Sequence, residues 1–426
     1  MSELLRYYHE QARASLSSMP WLAELQQKAL RDLSQQGFPK RSDEDWKYTR
    51  IEALLEHKFI PGRAQKTVKP DYTTDAPVAH QVRIINGQVF DIEKVAGALP
   101  QGVILLSLSE ALRQHADKIK PYLGQCFSHE HGFQALNTAM LQTGVFLYLP
   151  KGVQLEQPLL LTHWQDEKEQ AVHVRHLLIA EENSQASILE EYRGAEQCMY
   201  LTNTLTEVIA HAHANISHYK IQRESRMAYH IGHVAVKQEQ NSQFNSHSLS
   251  LGGKLVRSDV HIQLLQAQAS CLLNGIYAPG KQQHVDHHTT IEHLVPNCSS
   301  HQDYKGILAG HSRAVFNGKV IVAKGAQGTN ARQQNKNLLL SEQAEIDTKP
   351  QLEIFADDVL CSHGATVGQL DEEALFYLAT RGIEREEASA YLIQAFAAEN
   401  IQFIPEPILA EWMSHLLNQQ LGENNG

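Results

Sequence analysis

Apolar residues at helical spacing open and close this chain, and a long stretch of alternating apolar and polar residues lies between. Leu4, Leu5, Tyr8 and Ala12 fall on one face of a helix, as do Trp21, Leu25, Ala29 and Leu33. Gly37 and Pro39 mark the end of the second run. Ser42 to Thr49 predicts a short restart with acidic residues in its first turn, and Trp46 and Tyr48 are expected to pack into a small core. A Pro/Gly/Thr-rich connector is expected over 59–81. Val82 to Phe90 reads as a β-hairpin, because Asn86-Gly87 supplies the two positive-φ residues of a type I′ turn. Val103 to Leu108 predicts a strand, and Leu108 to Leu123 and Phe133 to Thr143 predict helices.

The pattern changes at Gly144. From there to about Val359 a small-polar-apolar phrase recurs after a turn signal. It appears as Ala186-Ser187-Ile188, Ala212 to Ile216, Ser242-Gln243-Phe244, Ala267 to Cys271, Cys298-Ser299-Ser300, Ser312 to Phe316 and Ala344 to Ile346. Most steps are near 26 to 30 residues. Short strands repeating at that period are the mark of a solenoid, whose coils bury their apolar faces only by stacking. A parallel β-helix does this by hydrogen-bonding each strand to the coils above and below, about 4.8 Å away. A sandwich or barrel is the alternative, and periodicity does not separate them. Asn317-Gly318 and Gly252-Gly253 read as turns. Asp371 to Arg381, ending at Gly382, predicts a helix, as do Glu384 to Asn400 and Ile408 to Leu421. The fold class is therefore mainly β, a parallel β-helix flanked by helical regions: 1–143 helical with a small hairpin, 144–362 the β-helix, 363–426 a helical domain. Helices at both ends are expected to cover the sticky terminal strands of the coil.

Composition narrows the possibilities. Hydrophobic residues are 42% and charged residues 20% of 426, so the chain is globular. A net charge of −11 argues against nucleic acid and against an anionic membrane surface as partners. No apolar run reaches the ~20 residues of a membrane span, and residues 1–19 have no apolar core of a signal peptide. The five scattered cysteines read as reduced thiols of a cytoplasmic protein, and none forms a CxxC pair.

Two clusters offer chemistry. Leu352 to Val359 reads as a half-buried strand leading into Cys361 and His363, with Gly364 and Gly368 freeing the backbone to turn. A spacing of two puts thiol and imidazole on one face, and both suit iron or zinc. A buried cysteine and a backbone-bonded histidine is the structural alternative. His284 to His293 holds four histidines, an aspartate and a glutamate. Its spacing fits no helical zinc motif, and it reads as a solvated polar rung ahead of a metal site. Adjacent Asp357 and Asp358 face opposite ways on a strand, and no Gly-x-Ser-x-Gly elbow is present.

Asp347-Thr348-Lys349-Pro350-Gln351-Leu352-Glu353-Ile354 and Ala356 to Gly368 closely resemble the SufB/SufD family of the Suf iron–sulfur assembly system, and within it the SufD type. Phe376-Tyr377-Leu378, Arg381-Gly382-Ile383, Asp45 to Thr49 and Arg313 to Gly318 extend that resemblance along the whole chain. It implies a right-handed parallel β-helix between helical N- and C-terminal regions. It implies a scaffold rather than an enzyme, paired with SufB through β-helix strands and with the SufC ATPase through the helices of 371–421. It also implies a transient nascent Fe–S cluster shared with SufB, sulfur arriving through SufE or SufS, and a reduced flavin at the level of the complex. His363 corresponds to the family histidine that holds the cluster at that interface, with Cys361 as its neighbour and a secondary metal candidate. The isolated chain is a candidate homodimer. A β-helix carbohydrate-active enzyme, or a stand-alone metal-binding protein using 284–293, are the rival readings.

Overall fold

The computed structural model describes residues 2–62 and 74–425, so part of the expected connector over 59–81 lies outside the described residues. The central strands build a parallel β-solenoid of about 8 turns. Successive strands alternate between two sheets of ten strands each. Each residue pairs with its equivalent one coil away. Tyr229 pairs with Leu255, 26 residues on, and Arg313 with Glu345, 32 on, so the repeat is slightly longer at the C-terminal end than its sequence signature suggests.

The turn signal has a structural origin. Asn183, His213, Asn241, Gln268 and Asn297 all have φ between 56° and 64°. Each stands two residues before a strand of the second sheet, at Gln185, Asn215, Gln243, Ser270 and Ser299. Asparagine dominates because its short polar side chain tolerates the left-handed region.

In-register stacking gives the coil one inward and one outward row per strand. Ile216, Phe244, Val236, Ile262, Val285 and Phe316 fill the interior. The outward rows are covered as well. The N-terminal helices Glu3–Ala14, Pro20–Gln36 and Gly132–Met140 lay Tyr8, Leu30, Leu33, Phe133 and Leu136 on Leu201, Tyr229 and Leu255 of the first sheet. Helices Arg385–Ile401 and Pro407–Asn425 lay Ile393, Leu409, Trp412, Met413 and Leu417 on Leu189, Tyr219, Leu249 and Ile276 of the second. This double burial is why a strand such as Leu201–Ala210 is buried at every position and why alternation in the sequence is faint.

Several local expectations change. At the start of the coil the short helix Ile92–Ala96 packs Ile92 and Val95 onto the interior core, but the long helices do not cap the C-terminal end. They flank the faces of the coil, and the final strand of each sheet is left as an edge. Leu352 to Val359 is not one strand. Glu345–Ile354 and Val359–Gly368 are separate strands in opposite sheets. The turn between them is fastened to the coil below, where Gln327 Oε1 accepts from Asp358 N–H at 2.7 Å and Gly328 N–H donates to Asp358 O at 2.7 Å. Gly364 and Gly368 lie within the last strand. Asn317-Gly318 is mid-strand in Arg313–Val322, and Gly318 is there for close packing: a Cβ on it would sit 1.8 Å from Gln333 Nε2. Gly253 (φ 82°) and the Asn86-Gly87 pair (φ 47° and 82°) are turns, as the sequence predicts. Trp46 is buried, with the Arg257 guanidinium 4.4 Å from its ring centre, whereas Tyr48 is 40% exposed.

Candidate functional site

The two edge strands form an open mouth at the C-terminal end of the solenoid. Strand parity shows what lines it. Cys361 pairs with Ala331, His363 with Gln333, Ala365 with Asn335 and Val367 with Asn337. Those four partners are buried inward residues, so the row containing Cys361, His363, Ala365 and Val367 continues the interior row past the last covered coil. On the facing edge, Ile346, Thr348, Pro350 and Leu352 follow Ala314, Phe316, Gly318 and Val320 in the same way. Thr348 Oγ1 donates to Asn335 Oδ1 at 2.8 Å and ties the two sides together.

Cys361 and His363 share a side of the strand about 7 Å apart along the chain, but their surroundings differ. Cys361 is half-buried against Val320, Val322, Ala326 and Ala331. Burial pushes its thiol pKa up, so in this setting the sulfur carries its proton. His363 is exposed. Among the described residues no group of three or more His, Cys, Asp and Glu side chains is placed to hold a metal ion. Any ion at His363 would draw further ligands from outside the described residues.

The edges also differ from each other. The first, Glu345–Ile354, carries Glu345, Lys349, Pro350 and Glu353, the charges and proline that discourage strand addition. The second, Val359–Gly368, reads Val-Leu-Cys-Ser-His-Gly-Ala-Thr-Val-Gly. It has no Asp, Glu, Lys, Arg or proline. Its outward Leu360 is 72% exposed, and Phe355 in the adjoining turn is 62% exposed. A long, uncharged, exposed edge is a template for another strand.

The histidine-rich strand His284–His293 is not a solvated face. His287 and His293 point inward, where His287 Nε2 lies 3.1 Å from Ser250 Oγ and His293 Nε2 lies 2.8 Å from Ser300 Oγ. Asp286 faces outward but is buried beneath the Asp45–Thr49 segment. Arg257 Nη1 donates to it at 2.7 Å, Thr49 bonds it from above, and His288 Nε2 is 3.0 Å from its other oxygen. Burial raises the carboxyls of Asp259 and Asp286, but the Arg257 charge and their hydrogen bonds outweigh it and hold both well below the usual carboxylate range. Opposite parities divide these histidines between the two sides of the sheet, and the strand clamps the N-terminal region to the coil.

Comparison with known proteins bears on the whole chain. The family model described as SUF system FeS cluster assembly, SufBD core domain, matches residues 163–396. The model for the SufBD protein N-terminal region matches residues 1–161. The chain belongs to the SufBD family. It is 31% identical over 400 residues to the iron–sulfur cluster assembly protein SufD of Escherichia coli (strain K12), covering 93% of this chain and 92% of that protein. An iron–sulfur cluster assembly SufBD family protein of Synechocystis is 32% identical, with 94% and 91% covered. The chloroplastic protein ABCI7 of Arabidopsis thaliana is 31% identical, with 95% and 87% covered. The chain is a SufBD-family iron–sulfur assembly protein and a homologue of SufD. The core-domain match ends within the C-terminal helices and includes both edges of the mouth.

Sequence reading nominated His363 and Cys361 but missed the floor of the mouth, formed by Gln333, Asn335 and Asn337. The signal was available: counting by twos from Val359, and stepping back one coil to Thr329, brings these amides beneath the row that carries the histidine.

Proposed function

We propose that this protein is a non-catalytic scaffold subunit of a SufB–SufC–SufD-type complex. Its Val359–Gly368 edge adds to a strand of a SufB-type partner and presents His363 to a nascent iron–sulfur cluster at the joint. The observation that carries this reading is that, of the two edges of the mouth, the uncharged, proline-free and exposed one is also the strand bearing the exposed histidine. A cluster in transit must be released. A site divided between two chains opens when the joint moves, and neutral imidazole suits iron without a closed thiolate cage. Cys361, protonated and half-buried, is a secondary ligand at most. The second docking surface of this reading is the outer side of the C-terminal helices, where Phe376 is 72%, Tyr377 58% and Tyr391 47% exposed. A SufC-type ATPase is its proposed occupant.

The test is co-purification of wild-type and His363→Ala chains with SufB- and SufC-type subunits, then anaerobic reconstitution followed by visible absorbance. The expected result is equal assembly, with cluster absorbance reduced severalfold in His363→Ala. Equal cluster content in both forms would move every ligand to the partner.

A further inference from the structure

We propose that Gln333 is a positioning residue for His363, fixing which imidazole nitrogen carries the proton and which faces the cargo. This rests on His363 being a cluster ligand. The argument begins below the mouth. Gln302, Gln333 and His363 occupy one inward position on three consecutive coils of the second sheet. Thr289 Oγ1 donates to Gln302 Oε1 at 2.7 Å. Gln333 Nε2 donates to the same oxygen at 3.5 Å, at the long limit of a hydrogen bond. The ladder therefore has a direction. The amide nitrogen of Gln333 is committed to the coil below, which leaves its carbonyl oxygen as the free end.

That oxygen, Gln333 Oε1, is buried and has no hydrogen-bond partner among the described residues. Gln333 itself is only 3% exposed. A buried acceptor without a donor is costly, and a native site that keeps one has a use for it. The next position up the ladder is His363, whose ring N–H is a donor. Gly318 supports the same reading from the opposite sheet. It is the residue that any side chain would drive into Gln333 Nε2, so the coil keeps space for this amide in this place. An imidazole that donates one N–H to a fixed carbonyl holds one tautomer and turns its other nitrogen's lone pair outward, as histidines that bind metals generally do. Gln333 touches no cargo and acts through His363.

The test uses the full chain with isotope-labelled histidine, its His363 signals assigned by difference from His363→Ala. Nitrogen shifts report the tautomer, and a pH titration reports the imidazole. In the wild type a single tautomer is expected. Gln333→Met keeps the length and removes the acceptor, and its tautomer ratio should relax toward that of free histidine. Gln333→Glu keeps an acceptor and adds charge, and should raise the His363 midpoint by about one pH unit. In the assembled complex, Gln333→Met should hold cluster about tenfold more weakly, with Gln333→Glu closer to wild type. An unchanged tautomer ratio in Gln333→Met would overturn the proposal, and if that variant fails to fold, the wild type decides: a tautomer ratio like that of free histidine overturns it. A loss of cluster in neither His363→Ala nor Gln333→Met, with the tautomer still shifted, would sink the ligand reading and leave the ladder standing.

Discussion

Leu360→Asp is expected to weaken association through the open edge at least about a hundredfold, close to 3 kcal/mol. Leu360 faces outward on the last strand and is 72% exposed in the single chain. Docking a strand beside it removes that side chain from water, and full burial of a leucine stabilises by about 1.5–3 kcal/mol. The aspartate loses this gain and places an unpaired carboxylate in the new joint, which costs more again. Nothing in the folded single chain leans on Leu360, so its thermal midpoint should stay within a degree or two of wild type. Calorimetric titration against a SufB-type subunit, and sedimentation of the chain alone, would measure the effect on hetero- and self-association. An unchanged dissociation constant would place the joint elsewhere. The outward row of the other edge, Glu345, Asp347, Lys349, Gln351 and Glu353, is already polar, so the matching change there, Gln351→Asp, should matter less.

A fall in pH from 7.5 to 5 is expected to destabilise the fold by as much as about 10 kcal/mol, the sum over five buried histidines. Burial lowers His173, His247 and His293 to about 4 and His233 and His287 to about 3. In the unfolded chain each titrates near 6.5. Between those values the unfolded state binds protons that the folded state refuses. The stabilisation is therefore complete above about pH 6.5 and is lost progressively as pH falls toward 4, at about 2 kcal/mol per histidine by pH 5. Asp259 and Asp286, with lowered pKa values, act in a separate window below the ordinary carboxylate range. Urea unfolding midpoints at pH 7.5 and 5 would show the fall. His287→Phe, which replaces one inward ring by another among Tyr277 and Tyr304, should remove about one histidine's share of it. A midpoint flat across that range would show that these rings are hydrated.

The solenoid was legible in the sequence because each coil repeats the same turn geometry, and a left-handed asparagine before a strand leaves a mark that side-chain variation does not erase. The clamp was not legible. Thr49, Arg257 and Asp286 lie far apart in the chain, and nothing local distinguishes their buried bonds from surface charges. The same limit explains the misread edge. Phe355 to Asp358 looks like the continuation of an alternating strand, and only its bonds to Gln327 and Gly328 one coil back show that it turns. His363 was nominated because its surrounding motif is specific to a family, whereas Gln333 sits in a plain polar run, Gln333-Gln334-Asn335, that announces nothing until the coils are stacked.

The two ends of the solenoid are unlike. Among the described residues, the sheets at the start of the coil finish in the two-residue parallel strand Ile60–Pro61 and in two short antiparallel strands, Gln88–Phe90 and Ile104–Ser107. These short segments leave little edge for another chain to extend. A body with one adhesive end and one blunt end has a fixed valence of one. Two such bodies joined end to end consume both adhesive surfaces and stop, whereas a coil open at both ends would grow into a fibre. If the open edge is the joint proposed above, this asymmetry limits end-to-end assembly of such solenoids to pairs, although Val359–Gly368 is itself a strand that could template aggregation.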